Sequence, residues 1–215
     1  AKKQIEDSNT VIEKMKEELD PLEYEARVYG KSIHLAGLRY PMFDRTVHLK
    51  YPPDNYKDGL NRDYIIVNVL DPHDRKPFAL GWYLVCLHEP YPCYAIAEYP
   101  TNPFEKIRID IKSLSEYVEI IKAVEQEIGE PYLRYIDPNY GNRHVRQGEA
   151  IPRSIKDDLQ DFGLFYYDVS DSLEIGHKRV TEMLKYKKEG INFTMFPRFF
   201  IAPHLYNHIY AMTHY

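Results

Sequence analysis

The stretch YIIVNVLDPHDRKPFALGWYLVCLHEPYPCYAIAEY (residues 64–99) decides the fold of this chain. It contains three apolar runs, at 64–70, 78–87 and 94–99, separated by short segments rich in turn-forming residues. Apolar runs that are nearly continuous rather than alternating are typical of strands covered on both faces. The short connections between them predict three antiparallel strands joined as a meander.

Beyond this meander the apolar residues follow helical spacing. The segment 110–128 repeats them every three or four positions and stops at Gly129 and Pro131, which predicts an amphipathic helix. The later predicted elements are a strand at 132–136, a polar loop at 137–153, a helix at 154–162, a strand at 164–169, a helix at 172–186, a strand at 191–196 and a helix at 203–215. The order β-β-β-α-β-α-β-α predicts an α/β fold, in which a mixed sheet of three antiparallel strands and then parallel strands is flanked by helices.

The first sixty residues differ in character from the rest of the chain. Residues 4–20 carry an apolar stripe in a highly charged background, which predicts a surface or linker helix. Strand-like pieces follow at 32–35 and 47–49, and turn formers dominate 52–62. We therefore expect an N-terminal helix and linker extension over 1–60 and a folded domain over 61–215.

Composition restricts the class of protein. The 215 residues are 44% hydrophobic and 28% charged, which excludes long disorder and fibrous structure. The net charge of −5 excludes a polycation, so any nucleic-acid surface has to be a local patch. Cys86 and Cys93 lack the spacing of zinc ligands and are expected to be core thiols. No apolar run approaches the ~18 residues of a membrane span, so we expect no membrane association.

Two aspartates directly follow apolar strands of the predicted sheet. Asp71 follows YIIVNVL, Asp137 follows YLRYI, and a proline stands after each of them. If the two strands are neighbours, both carboxylates lie at one edge of the sheet, where their mutual repulsion favours a shared cation. Mg²⁺ and Mn²⁺ prefer such oxygen ligands. The alternative is that each Asp-Pro pair only begins a turn.

Other motif matches are incomplete. Gly-Lys-Ser at 30–32 has Glu25 where a phosphate-binding loop requires glycine. His204 and His208 have the spacing of zinc ligands on a helix, but Leu205 stands where a zinc protease carries glutamate, so we expect a structural or surface role for both histidines. The remaining acidic candidates, each expected to be a surface charge rather than a ligand, are Asp74, Glu98, Asp168 and Asp171.

Basic side chains cluster in two places. The first cluster contains Arg143, His144, Arg146, Arg153 and Lys156, and the second contains Lys185, Lys187, Lys188 and Arg198. Such clusters are usually solvated faces. The first cluster follows Asp137 closely in the sequence, and the charge of a scissile phosphate near Asp137 would need to be neutralised. For this cluster, phosphate binding and a solvated face are therefore equally supported.

Three segments resemble the C-terminal nuclease domain of large terminase subunits from tailed bacteriophages. LEYEARVYGKSIHLAGLRYPMFDRTVHL (22–49) is similar to the stretch that joins the packaging ATPase to the nuclease. LDPHDRKPFALGW (70–82) and YIDPNYGNR (135–143) resemble the segments bearing the first and second catalytic aspartates. The resemblance extends over roughly 22–215, and its first segment is the most specific.

The resemblance implies a ribonuclease H-like fold and an endonuclease that cuts concatemeric double-stranded viral DNA. Carried over by position, Asp71 and Asp137 are acidic metal ligands. A third carboxylate follows the last helix in the family, and we expect it beyond Tyr215, in a tail that this chain lacks. The implied partners are the packaging ATPase domain of the same polypeptide, the portal and the small terminase subunit, in the cytoplasm of the infected or prophage-carrying bacterial host.

The implied chemistry is hydrolysis of a phosphodiester with two Mg²⁺ or Mn²⁺ ions roughly 3.5–4 Å apart. Asp71 would bridge the ions and Asp137 would hold one of them, while His73 would orient Asp71, contact a phosphate or only pack in its turn. We expect Arg143, Arg146 and Lys156 to contact backbone phosphates without reading sequence. Two alternatives remain, namely a non-catalytic docking module of the packaging motor and another ribonuclease H-like enzyme such as a transposase or junction resolvase.

Overall fold

The computed structural model of the chain describes residues 39–57, 63–103, 112–142, 153–169 and 172–214. The helix predicted at 4–20 and the strand predicted at 32–35 lie outside these ranges. The chain divides into two compact units, of which Met42–Ala211 contains the predicted sheet. In the described part of the other unit, the hydroxyl of Thr213 and Nδ1 of His214 lie 2.8 Å apart.

A six-stranded mixed sheet forms the centre of Met42–Ala211. Its strands are β1 Tyr64–Asp71, β2 Ala79–Cys86, β3 Cys93–Tyr99, β4 Leu133–Ile136, β5 Tyr167–Asp168 and β8 Phe199–Ile201, in the order β5-β4-β1-β2-β3-β8. The three strands β1, β2 and β3 pair antiparallel, whereas β4 pairs parallel to β1 and β5 pairs parallel to β4. The sheet predicted from the sequence is therefore confirmed.

Six α-helices lie within the described ranges, and two of them begin with a capping box. They are α1 Arg45–His48, α2 Leu114–Ile128, α3 Pro138–Gly141, α4 Ile155–Asp161, α5 Leu173–Leu184 and α6 Tyr206–His214. Ser113 and Glu116 form a capping box at the start of α2, and Ser154 and Asp157 form another at the start of α4. None of the helices in the described ranges is both long and apolar enough to cross a membrane.

The prediction and the structure differ in several elements, among them the helix α3, which lies within the loop predicted at 137–153. Residues 47–49, predicted as a strand, largely belong to the helix α1, because the side chain of Asp44 accepts from the backbone of Thr46 and caps it. The strand predicted at 191–196 exists as β7 Asn192–Met195, but it pairs with β6 Lys187–Glu189 in a separate two-stranded hairpin. The strand β8 was not predicted, because its three residues are too few to give a periodic pattern.

The core contains polar groups as well as apolar ones. Its apolar residues include Leu70, Leu80, Trp82, Leu84, Tyr117, Ile121 and Ile136. The buried amide of Asn68 on β1 accepts from the hydroxyl of Tyr166 at 2.6 Å. The guanidinium of Arg134 on β4 donates to both carboxylate oxygens of Glu125 on α2, at 3.1 and 2.6 Å. These bonds attach α2 and the chain before β5 to the strands that lead into Asp71 and Asp137.

Candidate active site

The strands β1 and β4 bring Asp71 and Asp137 to the same edge of the sheet. Their parallel register ends with Leu70 opposite Ile136, and the backbone N–H of Asp137 donates to the carbonyl of Leu70 at 3.1 Å. Each aspartate is the next residue of its chain, so the two stand level on adjacent strands. Because neighbouring strands lie about 4.8 Å apart, the two carboxylates are close enough to interact directly.

Asp137 also begins the turn that follows β4. Its Oδ1 accepts from the backbone N–H of Asn139 at 2.7 Å, and its carbonyl accepts from the N–H of Gly141 at 2.8 Å. Pro138, the first residue of α3, has no N–H to satisfy, and this is why proline suits that position. The turn-forming role that the sequence offered as an alternative is therefore present at Asp137. A carboxylate accepts through two oxygens, so this capping bond is compatible with a bound cation.

The electrostatic setting of Asp71 is unfavourable to its negative charge. Partial burial raises the pKa of the Asp71 carboxyl, and the negative charge of Asp137 raises it further. His73 acts in the opposite direction and lowers this pKa. A divalent cation between the two carboxylates would remove the repulsion, and the oxygens of both residues are hard ligands of the kind that Mg²⁺ and Mn²⁺ prefer.

His73 is held within the turn after β1. Its Nδ1 accepts from the backbone N–H of Arg75 at 3.0 Å, and the same nitrogen lies 3.4 Å from Oδ1 of Asp74. In a neutral ring, acceptance at Nδ1 leaves the proton on Nε2. The structure thus supports the turn-packing alternative for His73, and it also places the ring near enough to Asp71 to affect that residue's pKa.

No group of three or more His, Cys, Asp or Glu side chains is arranged to hold a metal within the described ranges. Asp168 on β5 stands opposite Ile136, but its two oxygens accept from Nζ of Lys156 at 3.0 and 2.8 Å. This contact holds the pKa of Asp168 below its usual range. Asp171 lies outside the described residues.

The first basic cluster is only partly described. Arg143, His144 and Arg146 lie outside the described residues. Lys156 lies near the predicted edge but is paired with Asp168. Arg153 is paired with Asp158 and Asp161. Those of its cations that the structure describes are therefore engaged with carboxylates of the protein.

Glu98 is a structural residue, and the expectation of a surface charge was wrong. It is only 4% exposed, and its two oxygens accept from the backbone N–H groups of Asn207 and His208, each at 2.9 Å, which caps α6 from the neighbouring strand β3. Nδ1 of His208 lies 2.6 Å from Glu98, and its Nε2 lies 2.9 Å from the hydroxyl of Tyr83. A Cβ at Gly81 would lie 2.7 Å from that hydroxyl, so a larger residue there would displace the ring of Tyr83. A charged residue inside the apolar run YAIAEY was the available signal, because such a charge needs a partner.

The histidine pair has no metal-binding arrangement within the described part of the chain. His208 is held between Glu98 and Tyr83, whereas His204 stacks on Tyr51 with 6.0 Å between ring centroids. The structural role expected for both residues agrees with these contacts.

Comparisons with known proteins give a likeness in structure without one in sequence. No protein-family model matches the chain, and no curated protein matches it. The solved nuclease domain of the phage P22 large terminase matches with a TM-score of 0.53 and 12% identity, over 84% of this chain and 79% of that one. Two crystal forms of the large terminase from the thermophilic bacteriophage D6E match with TM-scores of 0.48 and 0.47, at 17% and 18% identity.

The D6E matches cover 69% and 81% of this chain but only 31% and 38% of the terminase, so the chain spans about a third of that protein's length. At such low identity the likeness concerns the fold. The likeness to the P22 nuclease domain, with its TM-score of 0.53, agrees with the ribonuclease H-like sheet and with the terminase resemblance inferred from the sequence. The described domain therefore has the ribonuclease H-like fold found in the nuclease domain of a phage large terminase.

Proposed function

We propose that this domain is a metal-dependent endonuclease of a viral DNA-packaging terminase, which cleaves concatemeric double-stranded DNA. The observation that supports this proposal most strongly is the level placement of Asp71 and Asp137 on adjacent parallel strands. Burial and then the negative charge of Asp137 raise the pKa of Asp71, and a shared cation would offset both effects. The fold likeness to the P22 nuclease domain supports the same function.

In this proposal Asp71 and Asp137 hold two Mg²⁺ or Mn²⁺ ions. When bound, such ions activate a water for attack on phosphorus and stabilise the leaving oxygen. Asp71, at the end of β1, and Asp137 would be the ligands that hold these ions, and Oδ1 of Asp137 would keep the capping bond to Asn139. His73, fixed by the N–H of Arg75, supports Asp71 from the adjoining turn.

The substrate contacts of this proposal come from the cations near Asp137. We expect Arg143 and Arg146 to neutralise phosphates flanking the scissile bond, since they follow Asp137 closely in sequence. Lys156 can join them only if it leaves Asp168. The proposed partners are the packaging ATPase domain of the same polypeptide, the portal and the small terminase subunit, in the cytoplasm of the bacterial host.

Nicking of supercoiled plasmid in Mn²⁺ tests the assignment. We expect Asp71→Ala and Asp137→Ala each to lower the nicking rate at least ~100-fold, because each removes a metal ligand. Glu119→Gln, an exposed change on α2, is the control and should cut like the parent. Nicking by both aspartate variants at the parent rate would refute the site.

A second candidate is a non-catalytic docking module, and one observation favours it. Asp137 already performs a structural task, because its side chain accepts from the N–H of Asn139. Isothermal titration with Mn²⁺ separates the two functions. The nuclease requires heat of binding that disappears in Asp71→Asn, whereas a docking module gives the same trace for the parent and for the variant.

A further inference from the structure

The hairpin β6–β7 connects to the main sheet at the edge opposite Asp71. It precedes Arg198, whose carbonyl accepts from the N–H of Cys93 at 2.7 Å, where β3 begins. Since β3 runs parallel to β1, the beginning of β3 and the end of β1 lie at opposite edges of the sheet. Any ligand of this hairpin therefore binds away from the candidate active site.

The tip of the hairpin presents an aliphatic side chain to solvent. Glu189 pairs with Asn192, which leaves Gly190 and Ile191 as the whole of the turn. Gly190 has φ +64°, a conformation that glycine adopts without strain. Ile191 is 94% exposed, and on the following strand and just after it Met195 and Phe196 are also exposed. An isoleucine in an exposed tight turn lowers the solubility of the protein compared with a polar residue, and it adds no packing to the core.

An aromatic cluster at the base of the hairpin fixes its position. Nζ of Lys188 lies 4.7 Å from the ring centroid of Phe193 and 5.5 Å from that of Tyr186. Phe193 in turn stacks on Phe196 at 5.1 Å and meets the edge of Tyr186 at 6.1 Å. Cation–π and aromatic pairs of this kind hold the two strands together and make the hairpin a preformed element.

The strand β6 carries two exposed cations, Lys187 and Lys188, beside one exposed carboxylate, Glu189, so basic residues outnumber acidic ones on the hairpin although the chain carries −5. On this side of the domain, Lys178 is paired with Glu174 and Lys185 is paired with Glu182. In the described stretch from α5 to β8, the cations that form no ion pair are Arg179, Lys187, Lys188 and Arg198, and the charge of Lys188 also helps to lower the pKa of Asp44. An exposed ammonium at Lys187, on the strand that leads to an exposed apolar tip at Ile191, is complementary to duplex DNA, because phosphates border the groove and an apolar wedge can enter between base steps.

We propose that the β6–β7 hairpin is a second DNA-binding element, in which Lys187 contacts phosphates and Ile191 inserts between base pairs. This inference concerns DNA binding rather than the proposed cleavage. It rests on the proposed function in one respect, namely that the polyanion bound by the hairpin is DNA. The domain would then contact the duplex at a second place, away from Asp71 and Asp137. The proposal also assigns a function to a basic cluster that the sequence alone predicts to be a solvated face.

Fluorescence anisotropy of a labelled 30-base-pair duplex in EDTA tests this inference without any cleavage. The variants of the full chain are Lys187→Glu and Ile191→Ser, both at exposed positions, and the control is Lys178→Ala, whose charge is paired on the same side. We expect Lys187→Glu to weaken binding at least ~3-fold at 50 mM salt and to reduce the slope of log K against log salt by ~1 or more. The control should bind as the parent does.

The apolar tip has its own readout. In a duplex carrying 2-aminopurine, unstacking raises the fluorescence, and we expect the parent to raise it and Ile191→Ser to leave it low at saturating protein. Equal affinity and equal salt slope for the parent and both hairpin variants would overturn the proposal, as would a parent that does not bind the duplex. Asp71→Ala should bind DNA like the parent while failing to nick, so the hairpin and the active site can fail independently.

Discussion

The backbone N–H of Asp137 donates to the carbonyl of Leu70 at 3.1 Å, and this bond sets Asp137 level with Asp71. The two aspartates come from distant parts of the chain, and the parallel pairing of β1 with β4 is what unites them. The buried bonds of Asn68 on β1 and Arg134 on β4 attach these two strands to Tyr166 and to Glu125 on α2. The site therefore depends on the polar core beneath it as much as on its own carboxylates.

Replacing Asp71 by asparagine should stabilise the metal-free protein. The pKa of Asp71 is raised in the folded state, so folding disfavours the charged carboxylate. This destabilisation is present at pH values above the pKa of the folded state. It is absent at pH values below the pKa of the unfolded state, which is near 4. Solvent screening limits the gain to ~1 kcal/mol, or about 2–4 °C in melting temperature. Thermal unfolding in EDTA at pH 7 measures it.

Thermal unfolding in Mn²⁺ is the control for this prediction about Asp71→Asn. Saturating Mn²⁺ should raise the melting temperature of the parent by mass action and leave that of Asp71→Asn almost unchanged. Glu119→Gln, which also removes one negative charge, should behave like the parent in both conditions. A metal-free Asp71→Asn protein that melts below the parent would contradict the electrostatic argument.

The sequence predicts the sheet well because its strands are long or clearly bounded. YIIVNVL, FALGWYLVCL and YAIAEY correspond to β1, β2 and β3, and the spacing of apolar residues in 110–128 corresponds to α2. The edge position of Asp71 and Asp137 follows from the same reasoning, because each comes directly after an apolar run. Local patterns suffice where a strand is buried on both faces.

Contacts between distant residues could not be predicted in this way. Nothing in the local sequence connects Glu98 with His208 or Lys156 with Asp168, because each pair forms only after the chain has folded. The strand β8 has three residues and is recognised only by its pairing with β3. The exposed tip of the hairpin at Ile191 also requires the structure, since the sequence pattern alone predicts a strand of the main sheet there.

Glu98 should be among the residues most costly to replace. Its carboxylate is buried and accepts from two backbone N–H groups at the start of α6 as well as lying 2.6 Å from His208. We expect Glu98→Ala to lower the free energy of unfolding by ~3 kcal/mol, because buried donors lose their acceptor. Tyr83→Phe removes one neutral bond to His208 and should cost only ~1 kcal/mol.

Urea unfolding at pH 7 measures both changes. Glu119→Ala, an exposed substitution on α2, should stay within ~0.5 kcal/mol of the parent. A loss for Glu98→Ala as small as that of this surface variant would show that solvent or other side chains replace the cap.

Alkaline pH should destabilise the protein through buried phenols. Burial raises the pKa of Tyr166 above its usual value near 10, with a further contribution from the charge of Glu125. The folded state keeps the phenol of Tyr166 neutral, and this preference stabilises the fold in full below pH 10. Above pH 10 the free energy of unfolding decreases by up to ~1.4 kcal/mol per pH unit, until the pH reaches the pKa of the phenol in the folded state.

Tyr166→Phe tests this linkage. The variant should be less stable at pH 8, because Asn68 loses the hydroxyl that donates to it, but its free energy of unfolding should fall less steeply than that of the parent between pH 10 and 11.5. Tyr132→Phe, which removes an exposed phenol, is the control. Equal slopes for the parent and Tyr166→Phe would contradict the assignment.

Lys156 should bind DNA poorly until Asp168 releases it. Its ammonium donates to both oxygens of Asp168, so a phosphate has to compete with a carboxylate that the fold already holds in place. We expect Asp168→Asn to raise affinity for a short duplex ~3-fold at 50 mM salt in EDTA, with a steeper salt dependence. The double variant Asp168→Asn/Lys156→Ala should return to the parent value, because the gain comes from the freed ammonium. Glu119→Gln changes the net charge by the same amount as Asp168→Asn, and its affinity for the duplex should rise less. An equal rise in affinity would mean that overall charge, rather than Lys156, controls DNA binding.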